Sequence, residues 1–145
     1  MKMSSKLRRE DGAAAVEFAI IVSLLVMLVF GMMQYGLAFF QTQNLRSAVR
    51  EGARVAAVRG DASTVKAAIA GASAGSLTTG NFSYTQTVSG STSTVCDDSN
   101  VGDEVLITIP TSSLPQSVRD QFSINIPFGP TMTLDPKISG SFRCE

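Results

Sequence analysis

The sequence contains no histidine and no tryptophan, and cysteine occurs only at positions 96 and 144. Without histidine, most zinc sites and most nucleophile–base pairs lose a usual member. Two isolated cysteines without CxxC spacing do not form a zinc motif either. A glycine-rich phosphate loop, a GxSxG motif and a paired acid–base set are also missing. These absences argue against an enzyme and predict no cofactor.

The net charge is zero, but the charges are unevenly distributed. Residues 1–66 carry nine Lys or Arg and five Asp or Glu, whereas residues 67–145 carry three and seven. An acidic C-terminal part does not suit the phosphate backbone of nucleic acids, so no nucleic-acid partner is expected. A chain of 145 residues has room for about one small globular unit.

Four carboxylates are concentrated in "CDDSNVGDE", residues 96–104. Oxygen ligands suit calcium, but the spacing does not match an EF-hand loop, which needs ligands at alternate positions and a closing glutamate. An ordinary acidic loop is the favoured interpretation, and no metal site is expected.

A long apolar segment covers residues 13–40. Its polar residues are Glu17, Ser23 and Gln34, and its flexible points are Gly31 and Gly36. A helix needs about 20 mostly apolar residues to cross a bilayer, whereas the apolar region of a cleaved secretory signal has only about 7 to 15. The segment therefore predicts a retained transmembrane helix.

The orientation of this helix does not follow from the flanking charges alone. Four Lys or Arg precede the segment and four Arg follow it before residue 60, so the positive-inside rule gives a tie. The two cysteines and the Ser/Thr-rich, Lys-poor tail favour an extracytoplasmic C-terminus. There, a Cys96–Cys144 disulfide would contribute about 4 kcal/mol by the chain-entropy estimate. Two buried free thiols are the alternative.

The helical pattern continues past the apolar segment without proline, which predicts one helix over residues 13–59. Small residues four apart, at Ala48, Gly52 and Ala56, allow close packing of another backbone, as do Gly31 and Gly36. A second row, also four apart, consists of Arg46, Arg50 and Arg54. This basic ridge is either a solvated face or a binding surface.

Residues 61–145 predict a small α+β domain. A short amphipathic helix follows a cap at Asp61 or Ser63. Then come stretches rich in β-branched and aromatic residues, separated by Pro and Gly: "NFSYTQTV", "EVLITIP", "FSINIPF", "TMTL" and "ISGSFRCE". Neither the short helix nor the strands can bury an apolar face alone, so an antiparallel sheet is expected to pack on the end of the long helix.

The start of the apolar segment, "GAAAVEF" at residues 12–18, resembles the prepilin pattern of type IV pilins and pseudopilins. That pattern has a short basic leader, a glycine, a glutamate at the fifth position after it, and then an aromatic residue, here Phe18. The resemblance implies that a prepilin peptidase cuts between Gly12 and Ala13 and removes residues 1–12. It also implies that Glu17 pairs with the amino terminus of a neighbouring subunit.

This pairing has a physical reason. Cleavage creates an ammonium group at Ala13, and a carboxylate in an apolar environment is tolerated when a cation partners it. The alternative is a Glu17 side chain that reaches the cytoplasmic interface of an ordinary single-span anchor.

The sequence that follows narrows the resemblance. "FGMMQYGLAFFQTQNLRSAVREGARVAAVRG", with "AVREGAR" at residues 48–54, resembles the TadE-like minor pilins or pseudopilins of the Tad (tight adherence, Flp-type) pilus system. The resemblance implies membrane association, with the prepilin peptidase, other pilin and minor pilin subunits and Tad inner-membrane assembly proteins as partners. It implies a single-pass protein of the cytoplasmic membrane, incorporated or not into a surface pilus. An unprocessed anchor with an extracytoplasmic binding domain remains the alternative function.

Overall fold

A 51-residue helix dominates the computed structural model, which describes residues 7–90, 94–125 and 129–145, with side chains from Gly12 onward. The helix α1 spans Leu7–Ala57 and is about 77 Å long at 1.5 Å per residue. It is continuous because no proline or strong cap interrupts residues 7–57. It begins earlier than the expected residue 13 and stops two residues before Arg59. Of the predicted leader, residues 1–6 lie outside the described residues and residues 7–12 belong to α1.

The end of α1 follows local chemistry. Arg59 has a φ of 63°, and the Gly60 N–H donates to the Val55 carbonyl at 3.0 Å, which closes the last turn. Helix α2, Ala62–Ala72, then begins with Asp61 as its cap, which accepts from the Thr64 N–H at 3.2 Å. Hydrogen bonds from the Ser63 and Thr64 hydroxyls lower the pKa of Asp61.

Beyond α2, the described residues include short strands, one short α-helix and two 3₁₀ turns, Thr111–Ser113 and Asp120–Phe122. The strands are β1 (Thr85–Val88), β2 (Glu104–Ile109), β3 (Ser123–Asn125), β4 (Thr131–Thr133) and β5 (Ile138–Arg143), and the helix is α3 (Gln116–Arg119). In this part of the chain, an antiparallel sheet has the order β1-β2-β5, and β3 pairs with β4 in a separate hairpin. The predicted α+β class is confirmed. In place of the single sheet that was expected, the strands form this three-stranded sheet and the separate β3–β4 pair. Residues 126–128 of the predicted "FSINIPF" strand lie outside the described residues.

One face of the sheet packs on the C-terminal half of α1. Alternate residues of β2, namely Val105, Ile107 and Ile109, are buried, as the period of two requires. They share the core with α1 residues that recur at helical spacing: Leu45, Ala48, Val49, Ala53 and Ala56. The prediction that the sheet and α2 cover the end of the long helix is therefore confirmed.

Two glycines make this packing close. A Cβ atom on Gly140 of β5 would lie 2.8 Å from the backbone nitrogen of Arg50, so the strand lies directly on α1 there. A Cβ atom on Gly52 would lie 2.4 Å from Cγ1 of Ile69, so the Ile69 side chain of α2 lies directly on the α1 backbone on another side.

Replacement of Gly52 by alanine is expected to lower the free energy of unfolding of the domain by about 1–3 kcal/mol, because the new Cβ would overlap Cγ1 and Cδ1 of the fully buried Ile69. Pulse proteolysis of the full chain in urea, in detergent micelles, measures the change. The matched control is Gly71→Ala in α2, where no heavy atom lies within 4 Å of the new Cβ. This control is expected to be neutral or slightly stabilising, since alanine favours a helix. Equal midpoints for the two variants would contradict the close packing.

Candidate assembly surface of the long helix

The residues of the predicted processing motif lie on one exposed helical segment. Gly12, Ala13, Glu17 and Phe18 are all exposed and belong to α1. Glu17 lies one turn, about 6 Å, beyond Ala13 along the axis. We find no hydrogen bond or ion pair between the Glu17 carboxylate and the described residues. A charged partner for Glu17 must therefore come from outside this part of the chain.

The apolar part of α1 is exposed along most of its surface, apart from the side that faces β3. Its large side chains from Val16 to Phe40 are mostly about half or more exposed, and Phe18 is 68 % exposed. The helix is long and apolar enough to cross a membrane. Residues 13–40 extend over about 42 Å, which exceeds the ~30 Å of bilayer hydrocarbon. Such a surface needs lipid or other helices around it.

The small residues predicted for helix packing separate into two groups. Gly31 and Gly36 face open space, with no heavy atom within 4 Å of an added Cβ. Ala48, Gly52 and Ala56 are buried instead under the chain's own α2 and sheet. The small side chains at these three positions therefore allow close packing within the subunit, and their surface is not available to another subunit.

The basic ridge also divides into different environments. The Arg46 guanidinium donates through Nε to the Lys137 carbonyl at 3.1 Å. Arg54 pairs with Glu51 at 2.6 Å, and this bond lowers the pKa of Glu51. Between them, Arg50 is exposed, and no hydrogen bond or ion pair is found for its side chain within the described residues.

A disulfide closes the end of the domain beside the end of α1. Cys96 and Cys144 are bonded, with both residues buried, so the predicted pairing is confirmed. The neighbouring Glu145 N–H donates to the Ala57 carbonyl at 3.1 Å, which satisfies an acceptor in the last turn of α1. The acidic loop belongs to the same end, because Asp98 pairs with Arg59.

Internal hydrogen bonds order the acidic loop. Asp97 accepts from the Ser99 N–H at 2.8 Å and from its hydroxyl, which lowers the pKa of Asp97. The buried Asn100 donates to the Val95 carbonyl at 2.9 Å. Within the described residues, no group of three or more His, Cys, Asp or Glu side chains could hold a metal ion.

Two polar residues of α1 fix the domain to the helix in a way that the sequence pattern did not reveal. Gln41 donates to the Ser76 hydroxyl at 2.9 Å, and Asn44 donates to the Ser73 carbonyl at 2.9 Å. They lie beside the buried positions 45 and 48, so polar residues within an apolar helical stripe were the available signal.

The β3–β4 hairpin forms a second contact that was not predicted. Ile124 and Asn125 of β3 and the apolar part of α1 between Ile20 and Gln34 together line a groove of 690 Å³. The Gln34 Oε1 atom is buried and has no hydrogen-bond partner among the described residues. The hairpin thus covers part of one side of the helix just below the domain.

Comparison with known proteins gives a family match for the part of the chain that carries most of this surface. The family model described as TadE-like protein matches residues 12–54. The match begins at the predicted cleavage glycine and ends within the basic ridge, so it confirms the TadE-like resemblance. No curated protein and no solved structure matches the chain.

Proposed function

We propose that this chain is a minor pilin or pseudopilin that takes part in the assembly of a Tad-type pilus and has no catalytic activity. The observation that carries the proposal is Glu17, five residues after Gly12, at the start of an uncovered apolar helix inside the TadE-like match. A carboxylate at that position needs a cation, and cleavage after Gly12 supplies one at Ala13.

The mechanism has three steps. The chain inserts with its N-terminus in the cytoplasm and its disulfide-closed domain outside. A prepilin peptidase removes residues 1–12, which exposes the Ala13 ammonium. The α1 helices of subunits then associate laterally, and Glu17 of one subunit pairs with Ala13 of the next. Because a helix has the same axial rise throughout, this single ion pair sets the stagger between neighbouring subunits.

The size of the domain supports a minor role. The domain follows an assembly helix of pilin type and buries one face of its C-terminal half, so lateral packing falls mainly to the N-terminal half, apart from the side that faces β3. Other pilin and minor pilin subunits, and the Tad inner-membrane assembly proteins, are the partners that such a helix requires. The domain would cap, prime or decorate the filament.

The N-terminal residue of the protein in native membranes tests the proposal. Mass spectrometry is expected to find a mature chain beginning at Ala13, because the motif places the cut after Gly12. The control is Gly12→Val, whose branched side chain at the cut is expected to leave the chain uncut without disturbing the apolar segment. An intact Met1 or Lys2 in the wild-type chain would contradict processing and support an unprocessed anchor with an extracytoplasmic binding domain.

A further inference from the structure

The C-terminal half of α1 has one face that α2 and the sheet of the same chain leave exposed. Ser47 and Arg54 lie on this face, opposite the buried row that includes Leu45, and Arg50 lies at its edge, beside Gly140 of β5. These residues line a groove of 580 Å³, with Ala72 of α2 and Phe142 of β5 at its edges. Glu51 also lines the groove but pairs with Arg54, so the net charge of the groove is positive. Arg50 is exposed, and no hydrogen bond or ion pair is found for its guanidinium group within the described residues.

The end of the domain beside the α1 C-terminus carries the opposite charge. Its acidic residues are Asp97, Asp98, Asp103, Glu104 and Glu145, and its cations are Arg59 and Arg143. The Asp98 side chain is 88 % exposed even though it pairs with Arg59. Charge is therefore segregated along the molecule, with a basic groove on α1 and an acidic end beyond it.

We propose that the basic groove around Arg50 binds the acidic end, at Asp98, of a second copy of this chain. The contact rests on the proposed function, because it requires subunits that stand parallel and staggered. The two surfaces are different parts of the molecule, so the contact is heterologous and does not close a symmetric dimer. Complementary charge also suppresses wrong registers, since like charges would then face each other.

The direction of the stagger that Glu17 sets is compatible with this contact. Pairing of Glu17 with Ala13 of the neighbour shifts that neighbour by about four residues, or ~6 Å, along α1. Asp98 pairs with Arg59, which lies just beyond the C-terminal end of α1. The shift therefore moves Arg50 of the neighbour towards the end of α1 beside which Asp98 lies.

Photo-cross-linking of the full chain in pilus-producing cells tests this contact. A benzoylphenylalanine at Ser47, an exposed position on the groove floor, is expected to give a covalent pair of two copies, cross-linked to the peptide that contains Asp98. Arg50→Asp is expected to lower the yield at least about threefold, since it replaces an attraction by a repulsion. Asp98→Arg has the same expected effect, and the combined Arg50→Asp and Asp98→Arg variant restores the yield.

The control is Arg119→Asp, a charge reversal at an exposed arginine of α3 outside the groove, which is expected to leave the yield unchanged. Failure of the combined variant to restore the yield, or cross-linking of position 47 to phospholipid, would overturn the contact. The N-terminal residue is read in the same samples. A mature Ala13 without a cross-linked pair overturns the contact alone, whereas an intact Met1 overturns the proposed function.

Discussion

Replacement of Glu17 by glutamine is expected to abolish pilus assembly and to leave membrane insertion intact. Glutamine keeps the size of the side chain but removes the charge, so in the proposed pair the Ala13 ammonium of the neighbouring subunit would lose its partner in an apolar environment. Breaking a buried ion pair in this way costs about 3–5 kcal/mol. In the proposed assembly, every contact that this chain makes through Glu17 loses its ion pair. Electron microscopy and immunoblots of sheared surface fractions measure the result.

Ser23→Ala is the matched control for this experiment. Ser23 is the next polar residue of the same exposed segment, and its hydroxyl already donates within the helix to the Ile20 carbonyl at 2.8 Å. Pili are expected to be normal in this variant. Both variants should give equal amounts of processed chain in the membrane fraction. Normal pili with Glu17→Gln would contradict the pairing, whereas Glu17→Asp with reduced assembly would show that side-chain length also matters.

Loss of the disulfide is expected to have the largest effect on the stability of the domain. The combined Cys96→Ser and Cys144→Ser variant should lower the free energy of unfolding by about 4 kcal/mol, because the crosslink spans 48 residues and its loss frees the unfolded chain. Both sulfur atoms are also buried, so the serine hydroxyls enter an apolar environment. Pulse proteolysis of the full chain in urea measures the change.

Reduction provides the control for the disulfide experiment. Dithiothreitol is expected to lower the unfolding midpoint of the wild-type domain and to leave the midpoint of the double variant unchanged. A wild-type midpoint that does not respond to full reduction would contradict a stabilising role. Loss of the Glu145 bond to Ala57 should accompany reduction, and faster hydrogen exchange in the last turn of α1 is the expected signature.

Most of the secondary structure could be predicted because the local signals were strong. The continuous helical pattern without proline predicts the long helix. A cap at Asp61 or Ser63 was predicted for α2, and Asp61 is the cap. The alternating residues of β2 predict a strand with one buried face. The N-terminal extension of α1 to Leu7 was missed, since charged residues in the leader give no apolar period.

The pairing of strands and the separation of the β3–β4 hairpin could not be predicted in the same way. Both arise from contacts between residues far apart in the chain, such as Ile107 opposite Gly140 in the β2–β5 register. The groove beside Gln34 belongs to this class too, because it forms only where the hairpin approaches α1. Local patterns carry no information on such distances.

The candidate site likewise combines features that local sequence patterns predict with features that depend on the tertiary structure. The sequence by itself predicted the processing motif and determined the apolar helix, because an uninterrupted apolar run acts through local geometry and solvation. Only the tertiary structure decided which small residues and arginines remain available. The domain folds onto α1 and buries Ala48, Gly52 and Ala56, so their surface contributes to the core. Arg50 lies at the edge of the covered face, where Gly140 of β5 touches its backbone, and its side chain stays exposed.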